Sequence, residues 1–539
     1  MSARNILFIM CDQLRHDYLA CAGHPTIRTP HIDSLAARGV RFSHAYAQSP
    51  ICGPSRMSFY TGRYVRSHGV TWNAAPLPVG EWNIGHHLNP LGMRTVLCGK
   101  SHMAADVAGM TRLGIDPHGE IGARLSQCGF EAWDRLDGIH PPSLDKKPSH
   151  YNQYLNAVGY DGADPIHHWA HHVQGEHGEA LSGWLLSNVN RPARVRAEHA
   201  ETAYTTSRAI AFIEQAGSDR WCLHLSYIKP HWPYVAPAPY HALYGPDDVV
   251  PAIRSDAERI DPHPILAAYQ RHRVCEVFSR PGVRERVIPA YMGLITQIDD
   301  EIGRLLGWLE RTGRSDDTLI VFTADHGDYL GDHWLGEKEL FHDASVRIPL
   351  IVVDPSRDAD PTRGTVSDAL IESIDLLPTF VEVAGGTVPR HVIEGRSLRP
   401  LLHGARPPEP RRFVVSEYDY SPRRARKLLE REIAQCQLQM IFDGRWKMIR
   451  APGYRPMLYD LGSDPDELHD MGNAPEARPV LDALHAELLD WSTMHHNRVT
   501  RSDQAIEDYA GSEFQLGIHI GFWDDVDLAQ ATALDDGGN

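Results

Sequence analysis

Asn5-Ile-Leu-Phe-Ile-Met-Cys11, followed at once by Asp12, decides how the rest of the chain is read. The run is too short to span a membrane and lacks a signal peptide's cleavage region, so it reads as a buried strand. Similar runs recur at Thr95–Cys98, Trp221–Tyr227, Thr318–Thr323 and Pro349–Val353. Helical patterns lie between them, clearest in Ile295, Ile298, Ile302, Leu305, Leu306 and Leu309, a stripe at spacings of three and four. Strands alternating with helices predict an α/β fold with a mostly parallel sheet flanked by helices. In such sheets the chemistry sits at the carboxyl ends of the strands. Asp12 and Asp325 each come just after a strand run, at that edge.

The 539 residues suffice for two domains, and 42% hydrophobic with 23% charged residues is an ordinary globular composition. Fifty-three basic against 70 acidic side chains leave a net charge of −17. That surface repels nucleic acid and anionic membranes, so neither is an expected partner. It also repels an anionic substrate, so a site for one has to build its positive field locally. The eight cysteines stand singly (11, 21, 52, 98, 128, 222, 275 and 436), without a CxxC pair, which predicts reduced thiols and a cytoplasmic location.

Residues 1–405 are expected to form the catalytic domain, with a boundary near His403-Gly-Ala-Arg-Pro-Pro408. Beyond it, Arg412–Tyr418, Leu438–Phe442 and Trp446–Arg450 read as strands joined by tight turns such as Asp443-Gly444. A helix from about Glu476 to Met494 completes an expected antiparallel-sheet-plus-helix subdomain over 406–500. In the 501–539 tail, Phe514, Leu516, Ile518, Ile520 and Phe522 alternate, with Trp523 next. The spacing predicts a strand with one apolar face, tucked on its own chain or clasping a second subunit in a homodimer or homotetramer.

The decisive chemical segment is Cys52-Gly-Pro-Ser-Arg-Met-Ser-Phe-Tyr-Thr-Gly-Arg63. It resembles the signature of the type I sulfatases, within the alkaline phosphatase superfamily: cysteine, any residue, proline, serine, arginine, then threonine-glycine-arginine. Tyr60 departs from the usual leucine. Asp12-Gln13, Gly99-Lys100-Ser101-His102, Lys229-Pro230-His231-Trp232-Pro233, Asp325-His326-Gly327 and Lys338 follow in family order. So do Leu376-Leu-Pro-Thr379, Gly395-Arg-Ser-Leu398, and Leu458-Tyr-Asp-Leu461 with Asp464-Pro465, so the resemblance spans most of the chain.

The resemblance implies that a formylglycine-generating enzyme oxidises Cys52 to formylglycine. Hydrated, that side chain carries two hydroxyls on one carbon: one attacks sulfur, and loss of the other's proton expels sulfate. A serine could form the ester but has no such exit. Arg56 is then expected to hold the formylglycine oxygens, and Lys100 and Lys338 to clamp the sulfonate oxygens. His231 becomes the acid for the leaving oxygen and His102 the base for release. Taken alone, Cys52 is a buried cysteine ahead of a helix, and a lone histidine is more often structural.

The metal site departs from the common sulfatase pattern. Asp12-Gln13 stands where two aspartates are usual, and Asp325-His326 where aspartate-asparagine is. With an oxygen of formylglycine, Asp12, Gln13, Asp325 and His326 are expected to hold one divalent cation. Oxygen ligands suit Ca2+, and the imidazole favours Mn2+. The same pairs typify the phosphonate monoester hydrolases, and Asn73 matches a substrate-contacting asparagine of that group. Those hydrolases carry tyrosine and threonine at the places of Lys100 and His102. The expected activity is hydrolysis of aryl or other small organic sulfate esters; the alternative is hydrolysis of a phosphonate monoester or phosphodiester at the same site. A third reading keeps Cys52 a thiol in a non-catalytic anion-binding protein. His167, His168, His171 and His172 read as a solvated loop or lid, and Lys229 as a support for the loop beside Pro230.

Overall fold

In the computed structural model, which describes residues 3–138, 149–406, 409–494, 496–509 and 515–535, strand β1 (Asn5–Asp12) is buried at every position. A strand enclosed on both faces needs apolar side chains pointing both ways, which explains a run without alternation. The other strands of its sheet are β2 (Val40–Tyr46), β3 (Arg94–Gly99), β4 (Glu131–Arg135), β7 (Trp221–Pro230), β8 (Thr318–Ala324), β9 (Leu350–Val353) and β10 (Thr365–Glu372). A separate short hairpin contributes β5 (His172–Gln174) and β6 (Ala180–Ser182). The large sheet has the order β10-β2-β9-β8-β1-β7-β3-β4. Seven of its strands run one way, and β9 alone is antiparallel to both neighbours.

Flanking helices close this sheet. Helix α1 (Cys52–Thr61) is buried along its whole length. Helices α2 (Glu201–Ala216) and α3 (Val283–Arg311) pack on β7 and on each other. The expected stripe of α3 faces inward, with Ile295, Ile298, Ile302, Leu305 and Leu309 fully buried. Each such side chain stabilises the fold by roughly 1.5–3 kcal/mol.

Beyond residue 409, β11 (Val414–Asp419), β12 (Gln437–Phe442), β13 (Trp446–Arg450) and β14 (Met457–Asp460) form an antiparallel sheet. The Asp443-Gly444 turn joins β12 to β13: Gly444 has φ +98°, and Asp443 accepts from the backbone amides of Arg445 and Trp446. Alternation divides this sheet's side chains. Val415, Ile441, Met448 and Leu458 meet Leu481, Leu484 and Leu488 of helix α4 (Arg478–Thr493). Val414, Met440, Phe442 and Tyr459 turn the other way, toward Tyr46 and Phe341 of the catalytic part. Lys447, fully buried, ties the two parts through Asp343 at 2.6 Å and Glu467 at 2.7 Å.

Two expectations need correction. Residues 516–523 form turns and coil, not a strand, and Phe514 lies outside the described residues, as do Pro407 and Pro408. Leu516, Ile518, Ile520 and Trp523 remain exposed, at 73%, 49%, 83% and 89%. With Gly517 and Gly521 both at positive φ, the backbone turns where a strand would continue. The histidine cluster is also not simply solvated: His171 is buried, 3.6 Å from Glu201 of α2. No helix among the described residues is long and apolar enough to cross a membrane.

Candidate active site

The carboxyl ends of β1, β3, β7 and β8 deliver four polar segments to one place. β1 ends on Asp12, and Gln13 adopts φ +65°, which turns the chain across the sheet edge. The Gln13 and His326 amides both donate to Asp325 Oδ1, each at 3.0 Å. Helix α1 begins at Cys52, directly over this edge. A Cβ on Gly53 would lie 2.9 Å from the Cα of Asn73, so only glycine permits the approach. Asn73 Oδ1 then accepts from the Gly53 amide at 2.9 Å, placing Asn73 against the first turn of the helix.

Cys52 is 1% exposed, and its sulfur lies 3.0 Å from His326 Nε2, 3.4 Å from Lys338 Nζ and 3.6 Å from Asp12 Oδ1. Burial alone raises a thiol's pKa, yet Lys100, Lys338 and His326 hold this one well below the ordinary range, with a hydrogen bond from His102 adding to them. Burial and the Cys52 sulfur work against ionisation of Asp12, but Lys100, His231 and Arg56 hold its carboxyl below the usual range. Lys100 is ion-paired with Asp12. Two carboxylates, Asp12 and Asp325, thus face three buried cations, Arg56, Lys100 and Lys338. Inside a chain of net charge −17, this is the local positive field that an anionic substrate requires.

Arg56 donates to Asp325 Oδ2 at 2.8 Å, to Asp12 Oδ2 at 3.3 Å, to the Lys100 carbonyl at 2.9 Å and to Ser226 Oγ at 2.8 Å. These bonds go to the strand ends rather than to the Cys52 side chain. His102, at φ +51°, hangs on a loop whose amides at 101 and 102 both donate to Asp137 at 2.9 Å. Its Nδ1 is buried without a hydrogen-bond partner among the described residues. His231 is buried, with Nδ1 3.0 Å from the Trp232 carbonyl oxygen. Lys229 turns away from the site: it donates to the Pro233 carbonyl at 2.9 Å and lies 3.5 Å from Glu201.

Ligand atoms of Asp12, Cys52, Asp325 and His326 lie within 4.8 Å of one another. His326 Nδ1 donates to the Gly327 carbonyl at 2.9 Å, which points Nε2 at the group, where loss of its proton would free a lone pair for a cation. Beside this group, Gln13 Nε2 donates to Asp328 Oδ2 at 2.6 Å, and its Oε1 accepts from Lys338 Nζ at 2.9 Å. Oxygen acceptors and an imidazole nitrogen converge, each held from behind, and this donor set fits one divalent cation. Asp328, with Tyr234 donating to it, was not evident from sequence. The one signal was its place two residues beyond His326.

A buried nucleophile position ringed by cations, above a divalent-metal donor set at the carboxyl edge of a parallel sheet, defines a hydrolase of anionic esters. The sulfatase family model matches residues 4–386, and an N-sulphoglucosamine sulphohydrolase C-terminal model matches 331–494. The chain therefore belongs to the sulfatase family, and it is a sulfuric ester hydrolase. It is 30% identical over 526 residues to the multifunctional alkaline phosphatase superfamily protein PehA of Trinickia caryophylli, covering 92% of this chain and 97% of that one. The choline-sulfatase of Rhizobium meliloti is 28% identical, covering 91% and 86% respectively. Among solved structures, the phosphonate monoester hydrolase of Silicibacter pomeroyi superposes with a TM-score of 0.80 at 29% identity, covering 93% and 99%.

The bond from Gln13 to Asp328 generates a prediction. Asp328→Ala frees the Gln13 amide to rotate, and Mn2+ affinity measured by isothermal titration should fall about 10–100-fold. Unchanged affinity would remove Gln13 from the ligand set.

Proposed function

We propose that this chain hydrolyses monoesters of sulfate, aryl or other small organic ones, through Cys52 oxidised to formylglycine. The observation that carries this reading is the arrangement of Lys100, Lys338 and His326 around Cys52, which holds even the thiol well below its ordinary pKa. A side chain so placed is kept ready to act as an anion. Asp12, Gln13, Asp325 and His326 would hold one Mn2+ or Ca2+. Bound there, the cation supplies the charge that acidifies an oxygen nucleophile. The aldehyde, once hydrated, supplies the attacking hydroxyl and the second hydroxyl whose deprotonation releases sulfate.

The chain's own residues do the rest. Lys100 and Lys338 bind the sulfonate oxygens and stabilise the charge that builds on them during transfer. His231 donates a proton to the leaving oxygen, and His102 accepts one from residue 52 as sulfate departs. Arg56 acts by positioning: it neutralises Asp12 and Asp325 and fixes the start of α1 over them. Asn73 supports the same turn and borders the substrate. Hydrolysis of phosphonate monoesters or phosphodiesters is the second reading, favoured by Gln13, His326 and Asn73 and by the likeness to a phosphonate monoester hydrolase.

We also propose self-association, as a homodimer or homotetramer, through the exposed apolar side chains of the tail. Deleting residues 509–539 should lower the mass measured by light scattering. An unchanged mass, or a monomeric full-length chain, would exclude it.

Made alongside a formylglycine-generating enzyme, the protein should lose the mass of hydrogen sulfide and gain that of oxygen at Cys52. Cys52→Ser should then fold normally and fail to turn over repeatedly. Repeated turnover by the serine variant would refute the mechanism.

A further inference from the structure

Beside the catalytic pocket lies a second recess, of about 300 Å3, walled by residues 335–339, by His272 and Arg273, and by Arg423 and Arg424. Lys338 belongs to this wall, and its ammonium is the one that lies 3.4 Å from Cys52. Arg423 is held by two segments that border the reaction. Its guanidinium sits 4.7 Å over the ring of Trp72, the neighbour of Asn73, and it pairs with Glu339, the neighbour of Lys338. Lys338 is thus shared between the recess wall and the surroundings of Cys52.

Its charge is unusual for this protein. Arg273, Arg423, Arg424 and Lys338 face Glu337 and Glu339, an excess of two positive charges in a chain of −17. Glu339 is neutralised by Arg423, with His272 at 3.9 Å, and Glu337 lies 3.6 Å from Lys338. Arg273 is 3.5 Å from the exposed Glu276. Arg424 has neither ion pair nor hydrogen bond to any described residue. In the same wall, His272 Nε2 and Arg423 Nε are buried without hydrogen-bond partners among the described residues. Burial, with Arg423 and Arg424 beside it, presses His272 down to about 4, so the imidazole is neutral at pH 7 and adds no charge of its own. The Arg424 guanidinium, exposed at the mouth of the recess and without a side-chain partner among the described residues, and the free Nε of Arg423 are the donors open to an anion there.

We propose that this recess is a substrate subsite for a second oxyanion, so that preferred substrates are sulfate esters whose alcohol portion carries a carboxylate or another anionic group. The proposal rests on reading the Cys52 pocket as the sulfate site. With the sulfonate between Lys100 and Lys338, the alcohol portion leaves past Lys338, and its second charge meets Arg423 and Arg424. A quaternary-ammonium alcohol would meet the same two cations, so choline-type esters are disfavoured.

Non-hydrolysable sulfonates test this by binding alone. Isothermal titration compares benzenesulfonate with 4-sulfobenzoate, and with a homologue bearing its carboxylate on a longer arm. At low ionic strength, at least one carboxylated ligand should bind about tenfold more tightly than benzenesulfonate. In Arg424→Gln, a substitution at an exposed position, that ratio should fall toward one. A ratio near one in the wild type, absence of any binding, or a ratio unchanged in Arg424→Gln would overturn the subsite. Turnover of an aryl sulfate by the same preparations separates the two readings. An intact binding ratio without turnover sinks the catalytic reading alone, and turnover with a ratio near one sinks the subsite alone.

Discussion

One guanidinium holds this site together. Arg56 is fully buried one turn into α1, and its bonds reach Asp12 at the end of β1, the Lys100 carbonyl after β3, Ser226 in β7 and Asp325 after β8. Four strands, three of them at their carboxyl ends, and the Cys52 helix thus share one cation. Two buried carboxylates this close to each other would destabilise the sheet edge without a counter-charge, and removing one partner of such a network costs about 3–5 kcal/mol. The planar fork of arginine meets several acceptors at fixed angles, which a lysine ammonium would not do. Residue 52 is consequently placed by the same interaction that makes the metal-ligand carboxylates tolerable.

The β1, β7 and β8 runs were legible because a strand buried on both faces has no other way to be written. The ends of β8 and β13 fell within a residue of expectation for the same reason. Asp12, Asp325 and Lys100 were legible because they interrupt or follow such runs at the edge where chemistry is placed. Other features depend on contacts distant in sequence. Asp328 orients Gln13 across 315 residues of chain, and Asp137 fixes the His102 loop from 35 residues away. The recess walls come from residues 272–273, 335–339 and 423–424, which no local pattern connects. The tail misled for the opposite reason: alternation was present, but Gly517 and Gly521 take positive φ and the backbone turns.

The pairs Asp12-Gln13 and Asp325-His326 resemble those of phosphonate monoester hydrolases, while Lys100 and His102 resemble the anion clamp of a sulfatase. The structure brings His326, Lys100 and His102 to one sulfur, with Gln13 reaching Lys338 beside it. Lys100 pairs with Asp12, and His102 approaches Cys52 from a loop held by Asp137. Sulfate and phosphonate monoesters carry the same single charge, so in the proposed mechanism net charge alone does not separate them. In that mechanism discrimination is assigned to Lys100 and His102.

The most direct test is the ratio of kcat/KM for an aryl sulfate to that for the aryl phosphonate monoester of the same phenol, in the wild type and in Lys100→Tyr/His102→Thr. The wild type should favour the sulfate, and the ratio should fall by about a hundredfold in the double variant. Equal losses on both substrates, or a wild-type preference for the phosphonate, would contradict the account.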